Sequence, residues 1–201
     1  MPTDMKRSLR RLYTAKAEPE IVDVPKRRFL MVDGTGDPET TTAFQEAIGA
    51  LYSVAYTLKF ARKKTGGDTF VVPPLEGLWW SGEEGILDLT DAKRTWRWRV
   101  MIAIPDDVTK AEIDEARAEA TKKHPGPAIK KLHMKDLEEG LCVQVMHLGP
   151  YSAERPTIDR MHRYAADHAL ELHGKHHEIY LGDPRRTKPE RLRTILRQPV
   201  A

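Results

Sequence analysis

The feature that most constrains this chain is a repeated order of elements. About residues 25–105 and again about 140–200, the sequence runs strand, glycine turn, helix, glutamate-bearing strand, loop, and a strand stopped by proline. Gly36 corresponds to Gly149, Glu76 to Glu178, Arg97-Trp98-Arg99 to Arg191-Leu192-Arg193, and Pro105 to Pro199. Identity between the halves is slight, so element order carries the correspondence. Two β-α-β-β units can pair into one antiparallel sheet with both helices on one face. The predicted fold is α+β: two pseudo-symmetric repeats forming one antiparallel sheet, helices on one face and a ligand cleft on the other. Residues 1–24 precede it as an N-terminal arm. The domain spans 25–201, its half-repeats joined by a helical connector.

Local patterns support each element. Trp96, Trp98, Val100, Ile102 and Ile104 alternate with Arg97, Arg99, Met101 and Ala103, the period of a strand with one packed face. Phe44, Ile48, Leu51, Ala55 and Leu58 recur at helical spacing between about Pro38 and Arg62, with Asp37 placed to cap. Thr109 and Glu112 have the spacing of a capping box opening the connector helix. Ser81 to Gly85 reads as a turn. In His177-Glu178-Ile179-Tyr180-Leu181, Glu178 and Tyr180 share one strand face and Ile179 and Leu181 the other. The matching stretch Leu75–Trp80 carries Glu76, so the two glutamates are expected to meet across one cleft on the pseudo-twofold axis. Trp79, Trp98, Met101, Tyr151 and Tyr180 are candidate walls. Tyr52 and Tyr56, four apart on the first helix, either edge that cleft or flank the core with hydroxyls in water.

Composition narrows the function classes. At 201 residues the chain can build one large domain or two halves sharing a core. No apolar run reaches about 18 residues, so no membrane helix is indicated. No apolar signal core follows the basic N-terminus. Cys142 is the only cysteine, which agrees with the cytoplasm and reads as a buried strand residue. The net charge of +3 is spread along the chain without a helix-turn-helix, so direct nucleic-acid binding is not expected. Gly34-Thr35-Gly36 lacks the further glycine of a dinucleotide fingerprint, and no phosphate loop or nucleophile elbow occurs, so no cofactor is expected. His176 and His177 are consecutive and point to opposite strand faces, so a metal site is not expected.

The repeat, Leu148-Gly149-Pro150-Tyr151, the Glu178-Ile179-Tyr180 strand and Asp183-Pro184 together resemble the GyrI-like family. That resemblance covers roughly Val24 to Val200 and implies a small-molecule-binding domain. Pro73-Pro74-Leu75-Glu76-Gly77-Leu78-Trp79-Trp80 and Asp183-Pro184-Arg185-Arg186-Thr187-Lys188-Pro189 are similar to free-standing members that include hydrolases of cyclopropane-bearing DNA-alkylating natural products. It implies roles for Glu178 and Tyr151; the assignment of Glu76 rests on position alone.

Two function classes follow. In an enzyme, Glu178 in an apolar cleft is the general base that activates water, and a tyrosine stabilises negative charge developing on the substrate. In a binding module, the same carboxylate and aromatic walls hold an aromatic or lipophilic cationic molecule without turnover. A third reading pairs Glu178 with an arginine such as Arg193 in a structural role.

Overall fold

A computed structural model describes residues 2–81, 85, 87, 88, 90 and 92–201. The expected turn at 81–85 lies largely outside these residues. Eight antiparallel strands form one sheet: β1 (Glu20–Val24), β2 (Arg27–Thr35), β3 (Glu76–Trp80), β4 (Arg97–Ile104), β5 (His133–Leu137), β6 (Gly140–Leu148), β7 (His176–Tyr180) and β8 (Arg193–Pro199). Their order across the sheet is β1-β6-β8-β7-β3-β4-β2-β5. The β7–β3 pair sits at the centre, with β8 and β6 on one side mirrored by β4 and β2 on the other. This is the arrangement two β-α-β-β repeats predict.

The outer strands are exchanged between the halves. β1 runs into β2 across Pro25 and Lys26, yet β1 pairs with β6 of the second half. β5 runs into β6 across Glu138 and Glu139, yet it pairs with β2 of the first. Glu20 lies opposite Gln144 and Val24 opposite Gly140 before the bend; Arg27 lies opposite Leu137 and Met31 opposite His133 after it. Each step along one strand is matched by one step back along the other, so one ladder continues through both bends. The two ends of the sheet thereby share strands, and the sheet curls around one of its faces.

Helices cover the other face. α1 (Met5–Ser8) is a single turn in the arm; α2 (Thr42–Lys64), α3 (Lys110–Lys123), α4 (Pro127–Lys131) and α5 (Arg155–Asp167) follow. α2 packs on β2 and β4, α5 packs on β6, and α3 and α4 pack on α2. Phe44 of α2 meets Trp98 edge-on with ring centroids 5.1 Å apart. Gly34 lies opposite Trp98, and a side chain there would collide with the indole at 2.1 Å. Ile158, Met161 and Ala165 of α5 bury against Val143, Val145 and Leu196.

α2 starts at Thr42 rather than Pro38. Asp37 accepts from the Glu39 amide at 2.9 Å and closes a separate turn, while the Thr41 side chain takes the cap. The capping box at Thr109 and Glu112 forms as expected. β1 and β5 were not foreseen as strands, because each is short and charged.

Candidate active site

The register decides which side chains share a face, since residues directly opposite in an antiparallel pair lie on the same side. Val145, Leu196, Glu178, Gly77, Val100 and Val32 form one row across six strands. Leu196 and Val145 of that row pack under α5, so Glu178 stands on the helix-bearing face. The next row holds Met146, Ile195, Ile179, Glu76, Met101 and Met31, on the opposite face. Glu76 and Glu178 therefore do not meet in one cleft. Glu76 is opposite Ile179 and not Glu178, and that one-residue offset turns it to the other side. Met101 goes with Glu76, completely buried, and is not a cleft wall.

On the helix face, the segment that opens α5 lies along β7. Tyr151 meets Tyr180 edge-on with ring centroids 5.6 Å apart. The Tyr180 hydroxyl donates to Glu178 Oε2 at 2.8 Å and accepts from Trp79 Nε1 at 3.0 Å. Gly77 makes this meeting possible: a Cβ there would stand 2.9 Å from the Tyr180 hydroxyl and 3.0 Å from the Trp79 nitrogen. Beyond Glu178, His176 Nε2 is 3.6 Å from Glu178 Oε1. His176 is 1 % exposed, and neither ring nitrogen has a hydrogen-bond partner.

Sequence reasoning missed Glu154. It caps α5 by position, but its side chain makes no capping bond and turns inward, 5 % exposed. There it lies beside Glu178. Burial, then the Glu178 charge, pushes its carboxyl up to about 10, so it holds a proton at neutral pH. The neutral Glu154 carboxyl is a proton donor beside Glu178, where a second like charge is disfavoured. An acidic residue at a helix start ordinarily reads as a dipole partner, which is why the sequence hid it. Burial, then Glu154 and Glu178, raises the Tyr151 phenol to about 12. Burial, then His176, lowers His162 on α5 to about 4, so this imidazole is neutral.

The other candidates separate. Trp79 lies over the site edge but is buried against Phe44, 5.5 Å between centroids. Trp98 is core beneath Phe44 and does not line the site. Tyr52 and Tyr56 stack at 6.3 Å and line a cavity of about 980 Å³ between α2 and the α3–α4 corner, on the outer side of α2. Burial, then Tyr56 and Asp183, raises the Tyr52 phenol, which places this ring also near the Asp183 loop. Arg193 is exposed, so the structural pairing imagined for Glu178 does not occur with it.

Glu76 has that structural pairing instead. The inner face holds Tyr13, Arg27, Glu76, Glu139, Gln144, His177 and Arg197. Glu76 Oε1 accepts from Tyr13 and from Arg27 Nη2, each at 2.9 Å, and Oε2 is 3.0 Å from His177 Nε2. His177 Nδ1 lies 2.9 Å from Glu139. Arg197 donates to the Leu12 carbonyl at 2.8 Å and to Gln144 at 3.0 Å. Burial alone would raise the Glu76 carboxyl; Arg27 and His177 outweigh it and hold it at about 2.

The model of the GyrI-like small molecule binding domain matches residues 17–201. The chain belongs to the GyrI-like family. Among solved structures, this GyrI-like chain is similar to a conserved protein from Listeria innocua, described as uncharacterized, at 42% identity over 99% of this chain and 100% of that one, with a TM-score of 0.90. It is also similar to a hydrolase from Listeria innocua at 41% identity over 100% of both chains, TM-score 0.89. The C-terminal domain of EcmrR shares the fold alone, at 13% identity over 92% of this chain and 97% of that one, TM-score 0.57. Comparison with the curated proteins gives no match. Among the described residues no helix is long and apolar enough to cross a membrane.

Proposed function

We propose that this GyrI-like protein binds hydrophobic, aromatic small molecules between α5 and the β7–β3 floor and hydrolyses reactive cyclopropane-bearing genotoxins, as a cytoplasmic detoxifying enzyme. The observation that carries this is the Glu178 carboxylate held by Tyr180 in a desolvated site beside a second, protonated carboxyl. The likeness to a protein described as a hydrolase supports the reaction class.

Glu178 takes a proton from water as the water oxygen bonds to the ring methylene. The strained carbon–carbon bond breaks, and its electrons pass into the conjugated carbonyl. The Tyr180 hydroxyl is committed to Glu178, so Tyr151, 37 % exposed at the mouth, is the phenol that meets the developing oxyanion. Glu76 has no part in this step; it stands behind the floor.

A second reading, binding without turnover, is favoured by the aromatic edges of Tyr151, Tyr180 and Trp79 around one carboxylate, which suit a lipophilic cation. Incubation with a spirocyclopropyl dienone in ¹⁸O-water separates the two. Labelled ring-opened product over many turnovers supports the hydrolase; stoichiometric capture with ligand recovered unchanged supports the binding module.

A further inference from the structure

The outer side of α2 carries a long groove. It runs from Glu46 to Lys64, about 27 Å at the rise of an α-helix, beside the α3–α4 corner at Pro125 and Pro127. Two rows of α2 shape it. Tyr52, Tyr56 and Phe60, four apart, form a ridge of near-parallel rings with centroids 6.3 and 6.2 Å apart. Gly49, Ser53 and Thr57 form the adjacent row of small residues. Tyr56 is 43 % and Phe60 58 % exposed, an apolar surface that the chain leaves uncovered. Gly49 stands inside the helix, where glycine costs stability relative to alanine, and a Cβ there would meet nothing within 4 Å among the described residues. Packing within the chain gives no reason for a glycine here, whereas the close approach of a neighbour does.

We propose that this groove is the interface of a symmetric dimer, its occupant the α2 of a second copy running antiparallel. A two-fold axis at the level of Ala55 sets residue 46 opposite 64, 49 opposite 61 and 53 opposite 57. The patch is then self-complementary, as an isologous contact requires. The Phe60 ring of one copy falls between Gly49 and Ser53 of the other, and Tyr56 falls between Ser53 and Thr57. Each aromatic ridge thereby enters the small-residue groove of its mate.

Charge selects the antiparallel direction. Glu46 lies at one end of the groove and Lys64 at the other, both exposed, and among the described residues neither has an ion-pair partner. Antiparallel pairing sets each Glu46 against the Lys64 of the other copy, whereas parallel pairing would bring like charges together. Glu119, the other acid of the groove, is already held by Lys122 at 3.1 Å and Lys123 at 3.5 Å. The contact lies on the outer side of α2, does not involve Glu178, and holds whether or not the protein turns a ligand over.

The test measures the mass of the purified full chain by light scattering, and its association by sedimentation, from micromolar to millimolar concentration. The wild type should form dimers. Gly49→Leu improves helix propensity and fills open space, so it should keep the wild-type circular dichroism and yield monomer. Phe60→Lys, at an exposed position, should do the same and guards against misfolding of the leucine variant. Glu46→Lys and Lys64→Glu should each weaken association by about tenfold or more, and the double reversal should restore it. Wild-type monomer at millimolar concentration overturns the proposal, as does a dimer that survives both Gly49→Leu and Phe60→Lys. A double reversal no tighter than either single change overturns the antiparallel pairing.

Discussion

Two buried glutamates on opposite sides of the sheet behave in opposite ways. Glu76 is fully enclosed and held at about 2; Glu154, which adjoins Glu178, is nearly as enclosed and pushed up to about 10. Burial disfavours the charged form in both. The partners differ. On the inner face Arg27, His177 and Tyr13 surround Glu76 with cations and a donor. On the helix face Glu178 faces an acid, a phenol and a histidine. The inner face is thereby a structural ion network, and the helix face retains a proton on Glu154. The β7–β3 pair separates the two, with Glu76 on one side and Glu178, beside Glu154, on the other.

The largest expected effect is at the helix face. Glu178→Gln should cut turnover by about 10²–10⁴-fold, with an unchanged melting temperature. Undiminished turnover would remove Glu178 from the mechanism and with it the distinction between the faces. Glu76→Gln should show the reverse. Leaving Arg27 and His177 without their carboxylate should cost about 3–5 kcal/mol of stability, read by urea unfolding. Turnover should stay within about tenfold once the variant is folded, and a larger loss at full stability would put Glu76 back in the site.

The pH dependence separates the faces by sign. Glu76, depressed from an unfolded value of about 4.3, contributes stability above that pH that is lost as pH falls toward about 2. Glu154 is raised, so the native state holds its proton more tightly, and its contribution falls as pH rises from about 4.3 toward about 10. Urea midpoints between about pH 6 and 10 should decline in the wild type and decline less in Glu154→Gln. An identical slope in both would mean that Glu154 is not the titrating group.

Smaller effects sharpen the edges. Tyr180→Phe leaves the Trp79 N–H without its acceptor and Glu178 without a donor, costing about 1–3 kcal/mol and lowering turnover about tenfold. Trp98→Phe should leave ligand-induced fluorescence quenching in place, because Trp98 lies under Phe44, whereas Trp79→Phe should remove it. Quenching lost with Trp98 alone would contradict the placement of the ligand beside Tyr180.

Much of the architecture was legible in the chain. The alternation from Trp96 to Ile104, the stripe Phe44–Leu58 and the capping box at Thr109 each report a local period or a local bond, and each formed. The candidate site was legible only where one strand sufficed: Glu178 and Tyr180 share a face because they are two residues apart, while the bond between them is seen only in the structure. The meeting of Glu76 with Glu178 failed because it needed the register between β3 and β7, which depends on both strands at once. β1 and β5 were missed because their pairing partners lie in the other half.

Sequence alone determined the repeat, the strand and helix periods, and the shared face of Glu178 and Tyr180, since these depend on neighbours along the chain. Only the tertiary structure decided which glutamate is an ion-network member and which faces a ligand. It also decided that Glu154, separated from Glu178 by an entire helix, lies beside it. A carboxyl's charge in a dry interior is set by the groups that packing brings beside it, and packing is a property of the whole fold.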